Sequence, residues 1–97
     1  MDDSKPVVFS KQASKDFYGL LDYYEHIGGA TLADRIRLDV GKIVEQLTDF
    51  PGSAEDIGNG IRRAVTPRYR FSMLYRVRQD TVAIEAIFRQ QDRLPSS

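Results

Sequence analysis

Apolar positions recur along this chain first at helical and then at strand spacing. The short run PVVFS, Pro6 to Ser10, follows a polar start and predicts a strand. Ser10 can cap a helix by accepting from free amides of the first turn. Ala13, Phe17, Leu20, Leu21 and Tyr24 then recur at helical spacing, with Lys15, Asp16, Asp22 and Glu25 at other positions. Gly28 or Gly29 can take the left-handed conformation that closes a helix. Thr31 with Asp34 resembles a capping box for a second helix. Its stripe, Ile36, Val40, Ile43, Leu47 and Phe50, advances in steps of 4, 3, 4 and 3, and Ala33 and Val44 widen it. Pro51-Gly52 ends it. A connection of two glycines predicts that the helices form an antiparallel hairpin.

Beyond this point the period falls to two. Residues 51–60, PGSAEDIGNG, read as a polar loop. IRRAV, 61–65, is a short strand stopped by Pro67. RYRFSMLYRVR, 68–78, is the next, and TVAIEAIF, 81–88, returns after a turn at Gln79-Asp80. A turn there pairs Val77 with Val82, Tyr75 with Ile84, Met73 with Ala86 and Phe71 with Phe88, all apolar. The other face pairs Arg78 with Thr81, Arg76 with Ala83, Leu74 with Glu85 and Ser72 with Ile87. Glu85 then lies diagonally from Arg76, in reach of an ion pair. One further step sets Arg70 against Arg89. The expected class is α+β, ordered β-α-α-β-β-β, with the helix hairpin on one face of a small, largely antiparallel sheet.

Composition narrows the chemistry. At 97 residues and 41% apolar content, the chain suits a single domain over 1–97, with flexible tails at 1–5 and 94–97. It has no cysteine and one histidine, so zinc clusters and Cys–His catalysis are excluded, and no cofactor or metal is expected. His26 falls in the last turn of the first helix, where a cation suits the helix dipole. Neither a nucleophile elbow nor a phosphate-binding Walker loop is present. Glu55 and Asp56 read as solvated loop carboxylates rather than an acid–base pair. No apolar run is long enough for a membrane helix and the start lacks a secretory signal, so a cytoplasmic location is expected.

The zero net charge hides a division. Residues 1–60 hold six Lys/Arg and eleven Asp/Glu, and residues 61–97 hold eight Arg and three Asp/Glu. Arginine offers a planar fork to carboxylates and phosphates and stacks on aromatic rings. Arg62, Arg63, Tyr69, Arg70, Arg76, Arg78 and Arg89 are therefore the candidate binding residues, with none assigned to catalysis. Two uses fit them: a surface for a partner's anions, or a solvated face paired with Glu85 and Asp92.

The order of pieces resembles the ParE branch of the ParE/RelE toxin superfamily. It rests on LTDFPG closing the long helix, GIRRAV, LYRV at 74–77, AIEAIF at 83–88 and a charged tail, from about Val7 to Arg93. The resemblance implies a four-stranded sheet with the hairpin packed on one side. It implies a type II toxin that inhibits DNA gyrase by binding, neutralised by a cognate ParD-like antitoxin whose amphipathic end wraps it. RelE relatives instead cut messenger RNA on the ribosome, using basic residues with a Tyr or His near the last strand. Many relatives carry a His followed by an Arg-Asp pair after that strand's apolar run. Here Arg89 stands in place of the His, and Asp92-Arg93 reverses the pair. No Tyr or His follows Val82. Arginine stays protonated and makes a poor base. The departures favour action by binding over RNA cleavage. A relative without toxicity, acting only in the antitoxin complex, is the further alternative, and direct nucleic-acid contact is left open.

Overall fold

The computed structural model describes residues 4–89, in the order β1 (Val7–Phe9), α1 (Lys11–Asp49), β2 (Glu55–Gly58), β3 (Ile61–Val65), β4 (Phe71–Val77) and β5 (Val82–Arg89). The fold is α+β. The sheet order is β1-β5-β4-β3-β2, with β1 parallel to β5 and all other neighbours antiparallel. Most of the expected tails, and Asp92 and Arg93, lie outside the described residues. No described helix is long and apolar enough to cross a membrane.

The helical run begins as its sequence predicts: the Ser10 side chain accepts from the Ala13 amide at 3.0 Å. It breaks at Gly29, whose φ of 79° and ψ of −178° are not helical. This divides α1 into arms 11–28 and 30–49. The Lys5 amide bonds the Thr48 carbonyl, and the Ser10 amide bonds the Ile84 carbonyl. The two ends of α1 thus sit at opposite ends of the short β1 segment, so the arms must fold back at Gly29. The expected Thr31–Asp34 cap does not form. Asp34 instead pairs with Arg37 at 2.8 Å, three residues further along the second arm.

Both arms bury their apolar stripe on one sheet face. Leu20, Leu21, Ile36, Val40, Ile43 and Leu47 meet Phe71, Met73, Tyr75, Val82, Ile84 and Ile87. Side chains like these contribute about 1.5–3 kcal/mol each when fully buried, which ties hairpin to sheet.

Three expectations about the strands need correction. Residues 51–60 are not all loop, because β2 adds a fifth strand on the edge, paired Glu55↔Arg63 and Asp56↔Arg62. Its turn is Asn59-Gly60, both at positive φ (58° and 77°), matching the twist of a tight hairpin. Second, β4 starts at Phe71, not Arg68. Arg68, Tyr69 and Arg70 belong to the β3–β4 turn, and Arg70 itself has φ of 62°. Third, the β4–β5 register holds only from the turn to Tyr75↔Ile84. There a bulge leaves Glu85 unpaired, and the partners become Leu74↔Ala86, Met73↔Ile87, Ser72↔Phe88 and Phe71↔Arg89. The extra residue flips the rest of β5, so Ile87 enters the core while Ala86 and Phe88 turn to the other face. Arg70 does not face Arg89.

Candidate binding surface

Strand alternation puts Ile61, Arg63 and Val65 of β3, Leu74 and Arg76 of β4 and Ala83, Glu85 and Phe88 of β5 on the sheet face turned away from α1. Among the described residues no helix or strand packs over this face. Its arginines are held locally. Arg76 Nε lies 3.2 Å from the Glu85 carboxylate, and its Nη1 donates to the Asn59 carbonyl at 2.7 Å. Arg78 approaches the same carboxylate at 3.7 Å. The bulge thus projects Glu85 where it meets two guanidinium groups. Arg63 donates to Glu55 at 3.2 Å, while its Nε is buried without a hydrogen-bond partner. Such exposed or half-exposed pairs contribute only ~0–1 kcal/mol, so a partner's carboxylate can replace them at little cost.

The other candidates lie elsewhere. Arg62 shares the core-side face with Tyr75 and donates to the carbonyls of Ala54 (2.7 Å) and Gly52 (3.3 Å). Tyr75, fully buried, donates to the Pro51 carbonyl at 2.8 Å and accepts from the Ala54 amide at 3.3 Å. Together they fasten the 51–54 segment. Burial raises the Tyr75 pKa above its usual value, and the Ala54 hydrogen bond and the nearby Arg62 charge oppose that rise. Arg89 is on the core-side face after the bulge, its guanidinium 4.8 Å from the Tyr23 ring centroid. Arg70 occupies the β3–β4 turn, and Tyr69 stacks on Phe71 there. The structure therefore gathers Arg63, Arg76 and Arg78 on one face and separates Arg62, Tyr69, Arg70 and Arg89 from them.

The family model described as "ParE toxin of type II toxin-antitoxin system, parDE" matches residues 7–94. The chain belongs to the ParE toxin family. A solved structure titled "Chromosomal ParDE TA system from P. aeruginosa" superposes with a TM-score of 0.77 at 22% identity, covering 89% of this chain and 96% of that one. At that identity the likeness is one of fold. No curated protein matches.

The ParE match begins at the first residue of β1 and runs past the end of β5, so the added edge strand and the bulge both lie inside it. Two residues important to the geometry of this ParE chain escape a reading by pattern. Asp39, 2% exposed, accepts from the backbone amides of Arg68 (2.9 Å) and Tyr69 (2.7 Å) and so anchors the β3–β4 turn. Its signal was a carboxylate beside Val40 on a buried stripe, where a charge needs partners. Asp16 accepts from the Ile87 amide at 3.1 Å, on the stretch of β5 that β1 does not reach. Nothing in its exposed-looking sequence position pointed there.

Proposed function

We propose that this ParE family chain is the toxin of a type II toxin–antitoxin pair. It inhibits DNA gyrase by binding, and a ParD-like antitoxin neutralises it in a hetero-oligomer. The observation that carries the reading is the ParE family match over residues 7–94. The sheet face supports it by offering Arg63, Arg76 and Arg78 beside half-buried Ile61, Val65 and Leu74. An amphipathic antitoxin segment would set carboxylates in place of Glu55 and Glu85 and apolar groups over Leu74. Tyr69, Arg70 and Arg89 form a second, separate contact region, and Arg62 acts by holding the 51–54 segment.

The chemistry favours binding over RNA cleavage. Cleavage requires a group to take the 2′-hydroxyl proton and another to protonate the leaving oxygen. Residues 83–97 contain no Tyr or His, and the nearby arginines remain protonated. Expression without the antitoxin tests the reading, together with purified gyrase in a supercoiling assay. Filamentation, DNA breaks and blocked supercoiling with translation intact are expected. Prompt loss of protein synthesis with cut messages would assign a ribonuclease instead, and unimpaired growth would assign a non-toxic partner protein. Arg76→Ala should weaken antitoxin binding while the domain stays folded; unchanged affinity moves the contact off this face.

A further inference from the structure

A helix advances 100° per residue, so the arm that buries Ile36, Val40, Ile43 and Leu47 turns another flank toward the β3–β4 turn. Arg35, Leu38, Lys42 and Glu45 occupy that flank, and with Arg68 they line a cleft of about 390 Å³. It lies on the helix side of the sheet, away from Arg63, Arg76 and Arg78. Asp39, by holding the Arg68 and Tyr69 amides, fixes the far wall.

The cations of this cleft differ from those of the sheet face. Among the described residues, Arg35, Lys42 and Arg68 form no ion pair, whereas Arg37 at the rim is engaged by Asp34. Leu38 stands among them 68% exposed. The space beside Gly41 is open, since a Cβ there would meet nothing within 4 Å. Cations crowded on one concave surface repel one another and attract an anion. An exposed leucine in their midst offers an apolar contact as well.

We propose that this cleft docks an acidic peptide segment of a protein partner. One apolar side chain sits over Leu38 and Gly41, and flanking carboxylates pair with Arg35, Lys42 and Arg68. A nucleic-acid backbone fits less well: it carries a charge at every step, gains nothing from Leu38 and meets Glu45. A peptide can place a neutral residue opposite Glu45.

The test is an amide-shift titration of the isotope-labelled full chain with a short synthetic peptide in which Leu is flanked on both sides by Glu. Saturable shifts are expected at Leu38, Gly41, Lys42 and Arg68. Arg35→Glu with Lys42→Glu should abolish them, and Leu38→Ser should weaken binding about tenfold. Lys11→Glu, on the other arm, should change nothing. An unchanged circular dichroism spectrum excludes unfolding of the variants. Absence of saturable shifts, or shifts confined to residues 83–88, overturns the proposal. So does a short DNA duplex that outcompetes the peptide and is indifferent to Leu38→Ser, which would make the cleft a phosphate site. The peptide experiment is independent of growth inhibition, so its failure leaves the toxin reading standing.

Discussion

Replacing Asp39 with alanine removes a buried carboxylate that accepts two backbone hydrogen bonds, at 2.9 Å and 2.7 Å, from consecutive residues of the β3–β4 turn. Each bond to a charged acceptor contributes about 1.5–3 kcal/mol net. The donors are only part-buried, so water can reach them once the carboxylate is gone, and we expect a loss of about 3–4 kcal/mol. That is a large share of the roughly 5–15 kcal/mol by which a domain is stable. Asp39→Asn keeps one acceptor oxygen but turns an NH₂ toward the other amide, so about half the loss is expected. Equilibrium unfolding in urea measures both, and an unchanged slope confirms that the surface exposed on unfolding is the same. Hydrogen exchange gives the local readout: the Arg68 and Tyr69 amides should exchange faster relative to those of β4. A loss below about 1 kcal/mol for Asp39→Ala, or unaltered exchange at both amides, would refute the view that this carboxylate holds the turn.

Tyr75→Phe removes the bonds to Pro51 and Ala54 and should cost about 1–2 kcal/mol, read by urea unfolding. The folded state favours the neutral phenol because burial raises its pKa. Its contribution is therefore complete below the unfolded value near 10 and is lost as pH rises through the folded value; alkaline unfolding should be shallower in the Phe variant. Arg70→Gly relieves a left-handed residue and should stabilise by about 0.5–1 kcal/mol in thermal unfolding, while removing a cation from the turn. Leu47→Ala should cost about 2–5 kcal/mol, because the residue is fully buried between helix and sheet, and toxicity should then fall through loss of fold.

Much of the architecture was legible because periodicity is a local property. The 4, 3, 4, 3 stripe on the second arm, the Ser10 cap, the glycine break and the β4–β5 turn each follow from nearby residues. Even β2 had a local signal, since Asn59-Gly60 is a favoured two-residue hairpin turn. It was obscured because Glu55, Asp56 and Gly58 lack the alternation of a half-buried strand; an exposed edge strand has no apolar face to display. The clustering of arginine was equally visible in the sequence, although its spatial grouping was not.

What only the tertiary structure decided begins at Glu85. A single unpaired residue reverses the facing of everything after it, so Ile87 is buried, Phe88 is not in the core, and Arg89 meets Tyr23 instead of Arg70. Pattern alone does not locate such a bulge, because Ala86, Ile87 and Phe88 after Glu85 are apolar on either register. Asp39 and Asp16 likewise take their roles from backbone amides some 29 and 71 residues away in the chain. The amino-acid order determines which residues prefer burial and at what period they recur. Which carboxylate reaches which amide, and which arginines share a surface, depends on how the packed layers bring distant segments within hydrogen-bond range.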